Sequence, residues 1–197
     1  PVVGYSLAYP IGVIGMIIAI FAMQKFWKID YARELEKIGD PTVGAELKSR
    51  TIRVTHAAAT RFTLDELKRA KRWDVVFGRI QRGAKVVVAR GDTRLAIGDR
   101  ITAVGTRKSI DAVAKVLGEI ADHLLELDRR DVDYRRVVVS NREVVGRRLS
   151  DLNLPKRYGA IITRVRRGDI DLLPYGEMVL ELGDRVRVVT LRSKMEA

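Results

Sequence analysis

The sequence predicts an α+β protein with one N-terminal transmembrane helix followed by two tandem βαβββα modules. The first observation is a charge split. The 197-residue chain has a net charge of +12, yet residues 1–24 contain no Lys, Arg, Asp or Glu. The second is an internal repeat, because residues 51–112 align with residues 136–197 at a constant offset of 85 without a gap. Such a match indicates that one structural unit occurs twice.

The apolar N-terminal segment predicts a membrane span. Residues 4–27 are free of charge up to Lys25, and they exceed the roughly 20 residues that a transmembrane helix needs. Lys25 and Lys28 flank the end of the segment, which places that end on the cytoplasmic side under the positive-inside rule. We therefore predict a transmembrane helix within residues 1–29, with residues 4–27 in contact with the lipid bilayer.

A signal peptide is the main alternative for this segment, but a basic start and a small-residue cleavage site are both missing. The first residue is Pro1 rather than Met, so we expect the helix to be the last one of a larger membrane domain. Residues 30–50 are charged and mixed, with a short helix predicted over residues 31–38 and a Gly-Asp-Pro stop after it. This composition is typical of a juxtamembrane linker.

The first copy of the repeat is predicted over residues 51–127, in the order strand, short helix, three strands and helix. A run of β-branched residues at its start is typical of a strand. Thr63 followed by Glu66 is the capping-box pattern that begins a helix. Gly83 predicts a tight hairpin turn. The Gly-Asp pair at 98–99 predicts a turn into the last strand of the sheet.

The second copy is predicted over residues 128–197 with the same order of elements. Arg148 stands where the first copy has the capping threonine, so this helix start lacks the same cap. Gly168 repeats the hairpin turn, and the Gly-Asp pair at 183–184 repeats the turn into the last strand. We interpret the Gly-Asp pair as a structural hallmark of the module rather than as a binding site.

A final helix closes each predicted module. Apolar residues recur at spacings of three and four from Ser109 to Leu127, which predicts a helix over this range in the first copy. The equivalent helix of the second copy is expected from about Arg192. The sequence stops at Ala197, so we expect the chain to be cut at this end as well.

Composition excludes several classes of function. The absence of Cys excludes disulfides and thiol catalysis, and two isolated His residues are poor evidence for a metal site. Neither a catalytic constellation nor a Gly-rich phosphate loop is visible, so we predict a non-enzymatic protein without a cofactor. Basic residues alternate with Val and Ile and are interleaved with acidic ones, without the aromatic-basic pattern of nucleic-acid binding. We therefore expect no nucleic acid polymer as a partner.

Arginines in and beside each hairpin form the strongest basic constellation. Guanidinium groups donate in bidentate fashion to phosphate or carboxylate. We predict a ligand site from four of them: Arg79, Arg82, Arg164 and Arg166. The alternative is that the arginines of this constellation form ion pairs with acidic residues of the same sheet, Asp169, Asp171 and Glu181.

A polar residue ends the first strand of each copy. His56 and Asn141 occupy the same position at the offset of 85. A strand end is a place where a ligand pocket can open, so both are candidate ligand-binding residues. The alternative is that each is simply a polar residue that terminates a strand.

The second copy resembles the TrkA-C domain, the C-terminal domain of regulators of potassium conductance. The resemblance rests on three stretches: Arg164-Val-Arg-Arg-Gly-Asp169, Leu173-Pro174 and Leu180-Glu-Leu-Gly-Asp-Arg-Val-Arg-Val-Val189. The first copy keeps the hairpin Gly and the Gly-Asp pair, but lacks a counterpart of Pro174. Both modules are therefore predicted to be TrkA-C-like.

Two such modules after an apolar segment are similar to the aspartate:alanine exchanger family of bacterial secondary transporters. The segment carries Tyr9-Pro-Ile-Gly-Val-Ile-Gly15 and the exit Trp27-Lys-Ile-Asp30. The resemblance implies the end of the first membrane half and the cytoplasmic loop of an inner-membrane antiporter for small amino acids or dicarboxylates. Because TrkA-C domains elsewhere dimerise and bind ligands such as cyclic dinucleotides, it also implies a homodimer and a small-molecule or nucleotide effector.

Two other functions stay open at this point. One is a regulatory domain of a potassium channel or cation antiporter, although the 197 residues contain no Gly-x-Gly-x-x-Gly motif of a nucleotide-binding domain. The other is a purely structural assembly domain that binds no ligand.

Overall fold

The computed structural model describes residues 13–23 and 46–195 of the chain. The chain divides into two compact units, Pro1–Pro41 and Thr42–Ala197. In the first unit the described residues form one helix, α1, over residues 13–23, and all its residues are exposed.

The predicted transmembrane helix is not supported by the part of the chain that the structure describes. Within residues 13–23 and 46–195, no helix is long and apolar enough to cross a membrane. The other residues of the predicted span lie outside the described residues, as does the linker helix predicted over residues 31–38.

The second unit begins with module 1, residues 46–121, which forms an antiparallel sheet in the order β3-β2-β4-β1-β5. Ile110, Val113 and Leu117 recur at helical spacing and are at most 2% exposed, so one face of the last helix packs on the sheet. The elements are β1 Lys48–Val54, α2 Leu64–Lys71, β2 Val75–Arg82, β3 Lys85–Val88, β4 Arg100–Gly105, α3 Arg107–Leu117 and β5 Gly118–Ala121.

Module 2, residues 132–195, forms a second antiparallel sheet in the order β6-β9-β7-β8. Its helical region is broken into two short helices because Asn153 adopts a positive φ of 45° and Pro155 follows it. The elements are β6 Val132–Val138, α4 Leu149–Leu152, α5 Leu154–Tyr158, β7 Ile161–Arg167, β8 Ile170–Leu172 and β9 Arg185–Leu191.

The offset of 85 relates the two modules in three dimensions as well as in sequence. Strands β6, β7, β8 and β9 take the places of β1, β2, β3 and β4, and both sheets share one strand order. An isolated bridge joins Thr63 to Arg94 in module 1, and its counterpart joins Arg148 to Val179 in module 2. The predicted hairpins at Gly83 and Gly168 are present.

The helix predicted from Ser109 to Leu127 is shorter than expected, which corrects the sequence prediction. Helix α3 ends at Leu117. The next residue, Gly118, has a φ of 148°, which residues other than glycine rarely adopt. The next residues form β5 because the outer edge of β1 offers backbone partners, and Leu125–Leu127 forms a 3-10 turn. In module 2, a 3-10 turn at Arg192–Lys194 occupies the place where a final helix was expected to begin.

The predicted capping box at the start of α2 is present. Thr63 Oγ1 accepts from Glu66 N at 3.3 Å, and Glu66 Oε2 accepts from Thr63 N at 2.7 Å. We expect Thr63→Ala to lower the free energy of unfolding by about 1 kcal/mol, because one N–H at the helix start loses its acceptor. Urea denaturation measures this loss. Arg148→Ala is the matched control, since Arg148 makes no side-chain cap bond; an equal loss for both variants would contradict the capping role.

The two sheets pack against each other through one face each. Two apolar clusters fill this interface. The first contains Val88, Val132 and Val189 with Ile161 packed on them, and the second contains Leu173, Leu47 and Val104 with Val76. Every residue of the second cluster is the counterpart, at an offset of 85, of one in the first. The modules are therefore related by an approximate twofold arrangement within one chain.

Candidate functional site

Each module contains an arginine–aspartate pair that holds the turn before its last strand. In module 1, Arg82 donates from Nε and Nη2 to Asp99 at 2.9 and 2.7 Å. In module 2, Arg167 donates from the same atoms to Asp184 at 2.9 and 2.8 Å. Asp99 is 2% exposed and Asp184 is 1% exposed. The structure thus places Arg82, a predicted ligand residue, in a bidentate pair that stabilises the Gly-Asp turn.

The carboxyl of Asp184 is held in its charged form. Burial alone raises its pKa, but hydrogen bonds from Arg167 and from the Glu181 N–H outweigh burial, so the pKa is lowered. A carboxyl whose pKa is lowered by folding stabilises the fold above its unfolded pKa, near 4, and loses this contribution as the pH falls through the folded value.

We therefore expect the difference in unfolding free energy between wild type and Asp184→Asn to be largest near neutral pH and to shrink below about pH 4. Urea denaturation at a series of pH values measures the difference. A difference that stays constant as the pH falls would contradict the role of the ionised carboxylate.

Arg79 and Arg164 are equivalent residues that each reach into the other half of the second unit. Arg79 Nη1 donates to the carbonyl oxygens of Asp128 at 2.8 Å and Val132 at 3.2 Å. Arg164 Nη2 donates to the carbonyl oxygen of Leu47 at 2.8 Å. Since Val132 is the counterpart of Leu47, the two contacts are reciprocal. Arg79 is 2% exposed, and burial lowers the pKa of its guanidinium.

His56 and Asn141 are both exposed, and the structure does not bring them to the arginines. His56 Nδ1 lies 3.1 Å from the carbonyl oxygen of Val116, near the end of α3. Asn141 Oδ1 accepts from Glu143 N at 2.9 Å. Each side chain therefore contacts a backbone group, His56 on the distant helix α3 and Asn141 two residues along the chain.

Five arginines converge on one face of the module 2 sheet, around a cavity of about 140 Å³ that Asp171 also lines. In the strand register, Arg187 of β9 lies opposite Arg136 of β6 on one side and Arg164 of β7 on the other. Arg166 lies opposite Arg185. We call this set the arginine face: Arg136, Arg164, Arg166, Arg185 and Arg187.

Positive charge exceeds negative charge on the arginine face. Neither Arg136 nor Arg185 forms an ion pair with any residue that the structure describes. The other three have an acidic partner: Arg164 with Asp171 at 2.8 Å, Arg166 with Asp169 at 3.5 Å and Arg187 with Glu126 at 3.8 Å. The ion pairs considered as an alternative for Arg164 and Arg166 are thus present, and unpaired guanidinium groups remain beside them.

The sequence prediction included Arg164 and Arg166 but missed Arg136, Arg185 and Arg187. Alternation along a strand indicates which residues share a face of that strand. It does not give the register between β6, β9 and β7, and these strands are far apart in sequence. A comparison of the two copies of the repeat could have pointed to Arg136 and Arg187, because these arginines replace threonines of the first copy.

A second cavity in module 2, of about 440 Å³, is lined mainly by apolar residues. Its lining includes Val137, Val139, Val186 and Val188. The counterparts of these residues in module 1 belong to the core that α3 covers. The cavity therefore lies at the position in module 2 where α3 packs on the sheet of module 1.

Across residues 13–23 and 46–195, no cluster of three or more His, Asp or Glu could hold a metal ion.

Comparison with known proteins identifies the modules. The sequence profile of the TrkA-C domain matches residues 63–118 and again residues 134–197. The first range covers module 1 from the start of α2 onward, and the second covers the second copy of the repeat. Each range includes the arginine–aspartate pair described above.

Relatives match the chain over nearly its whole length. It is 50% identical over 99% of its residues to an uncharacterized transporter of Geobacter sulfurreducens. It is 46% identical over 100% of its residues to one of Symbiobacterium thermophilum. The match covers 36% of each relative, so the chain spans about a third of their length.

Among solved structures, the RCK domain of the GsuK channel matches with a TM-score of 0.37 and 9% identity, over 80% of this chain and 63% of that one.

Proposed function

The chain belongs to the TrkA-C domain family, and on this premise we propose that it is the cytoplasmic, non-enzymatic regulatory region of a bacterial membrane transporter. One observation carries the proposal. Both modules match the TrkA-C domain, while the whole chain, including its apolar start, aligns with proteins named as transporters.

The proposed transporter is an inner-membrane antiporter that exchanges small amino acids or dicarboxylates. Residues 4–27 cross the membrane in this proposal, and the Lys-bearing end of the segment faces the cytoplasm with the modules. The support for this substrate class is the resemblance of the apolar segment and the tandem modules to aspartate:alanine exchangers.

Regulation requires that the modules respond to a ligand and transmit the response. A ligand shifts a transporter between two conformations only by as much as its affinity differs between them. The reciprocal contacts of Arg79 and Arg164 and the shared apolar interface support transmission, because they join both modules into one packed unit. The arginine face supports the ligand response, since five arginines and one aspartate line its cavity.

We also propose that the full-length protein is a homodimer. In module 1, β5 pairs with the outer edge of β1. In module 2, the equivalent edge of β6 has no strand partner among the described residues. Open strand edges tend to pair with another chain. Sedimentation of the detergent-solubilised protein tests this directly: a dimer is expected, and a monomer at micromolar concentration would exclude it.

Transport by the full-length protein in liposomes tests the proposed function. We expect uptake of a labelled acidic amino acid or dicarboxylate when an exchangeable solute is loaded inside, and no uptake without it. The same liposomes loaded for potassium flux test the channel or cation-antiporter alternative. Potassium flux without solute exchange would contradict the proposed transporter class.

A further inference from the structure

We propose that the arginine face of module 2 is a binding site for a compact, water-soluble anion that carries phosphate groups. The proposal deepens the regulatory role proposed above and rests on it only in treating the bound anion as an effector. Binding itself is measurable without any transport.

Module 1 is an internal control for what the fold requires. It has the same strands in the same order, yet the counterparts of Arg136, Arg166 and Arg187 are Thr51, Gln81 and Thr102. A sheet that forms with these neutral residues does not need arginine there. The fold therefore does not require arginine at these three positions. Arg187 has a structural contact as well, because its guanidinium lies 4.5 Å from the centre of the Tyr134 ring.

The same face is closed in module 1 and open in module 2. In module 1, Leu125 N donates to Thr51 Oγ1 at 2.9 Å, and the Asp128 carbonyl accepts from Arg79, so the chain between the modules covers the face. Arg79 is 2% exposed as a result. The side chain of its counterpart Arg164 is 23% exposed and lines the cavity.

The arginine face is energetically unfavourable without a bound anion, because like charges repel and one buried donor is unpaired within the part of the chain that the structure describes. Like charges opposite one another on neighbouring strands repel, and Arg187 faces arginines on both sides. In addition, Arg164 Nε is buried and has no hydrogen-bond partner among the described residues. An unpaired buried donor is unfavourable, whereas a bound anion supplies both negative charge and acceptors.

The arrangement of the donors favours phosphate over carboxylate. The five guanidinium groups come from three strands, β6, β7 and β9, and surround one cavity of about 140 Å³. A phosphate group offers several acceptor oxygens in a tetrahedral arrangement, so more than one guanidinium can bind it at once. Five arginines against their three acidic partners, Asp169, Asp171 and Glu126, leave an excess of two positive charges, which matches an anion with more than one negative charge. Diphosphate is the simplest probe of this kind.

Calorimetric titration of the whole 197-residue chain in detergent with sodium diphosphate tests the site. We expect one binding site per chain in the wild type. The variant Arg136→Thr/Arg166→Gln/Arg187→Thr takes the module 1 residues and should lose at least about 100-fold in affinity, since it removes three charged donors. Its control, Arg69→Gln/Arg135→Gln/Arg142→Gln, changes the net charge equally at exposed positions and should stay within about 2-fold.

Several outcomes would overturn the site. These are no binding by the wild type, equal affinity in the module 1-like variant, or an equal loss in the control variant. Succinate binding more tightly than diphosphate would overturn the phosphate assignment. Tight binding to vesicles that contain phosphatidic acid, without binding of free diphosphate, would contradict the proposal that the ligand is water-soluble. Circular dichroism verifies folding, and the single change Arg187→Thr, with an expected loss of about 10-fold, replaces the triple variant if it does not fold.

Discussion

Replacing Asp184 by alanine is expected to lower the free energy of unfolding by about 3 kcal/mol. The carboxylate accepts two bonds from Arg167 and one from the Glu181 N–H, and it is 1% exposed. Alanine leaves the Glu181 N–H and the Arg167 guanidinium without their acceptor, and the turn before β9 loses the side chain that holds it. Chemical denaturation monitored by circular dichroism measures the loss.

Asp169→Ala is the matched control for this prediction. Asp169 is fully exposed and its pair with Arg166 is long, at 3.5 Å, so the expected change is below about 0.5 kcal/mol. Asp99→Ala, the equivalent change in module 1, should cost about as much as Asp184→Ala, because Arg82 and the backbone bind Asp99 in the same way. A loss below 1 kcal/mol for both buried aspartates would contradict the structural role of the pair.

Replacing Val189 by aspartate is expected to separate the two modules. Val189 is 3% exposed and packs with Val88 and Val132 in the interface between the sheets. An unpaired carboxylate there costs several kcal/mol while the interface stays closed. Once the sheets separate, the carboxylate reaches water, so both modules should retain their own folds while the contact between them is lost.

Scanning calorimetry distinguishes a chain whose two modules are packed together from one whose modules are separated. We expect one cooperative transition in the wild type and two in Val189→Asp, the first at least about 10 °C lower. Val138→Asp is the control, since Val138 is 53% exposed and lies outside the interface clusters. A single transition in Val189→Asp at the wild-type temperature would contradict the packing of the two sheets.

Local signals in the sequence were sufficient for most of the module architecture. The offset of 85, the hairpin glycines and the Gly-Asp pairs predicted the strands of both copies, because each depends on turn chemistry within a few residues. The capping box at Thr63 is local in the same way. The end of α3 was missed because apolar periodicity continues past Gly118, although the glycine and the open edge of β1 favour a strand there.

The candidate site could be predicted only in part, because it depends on contacts between distant residues. Arg82 and Arg164 look alike in sequence, yet one is bound to a buried aspartate and the other reaches across the interface to Leu47. Their difference follows from the packing of the two sheets. Periodicity within one strand contains no information about which side of the sheet the other module covers.

The most direct test of the account is solute exchange by the full-length protein in liposomes, with and without diphosphate on the side of the modules. We expect diphosphate to change the wild-type exchange rate at least about 5-fold, because an effector that binds one conformation better shifts the population of transporter conformations. The Arg136→Thr/Arg166→Gln/Arg187→Thr variant should still exchange solute, but its exchange rate should not respond to diphosphate. An equal response in both proteins, or none in a wild type that binds diphosphate, would contradict regulation through the arginine face.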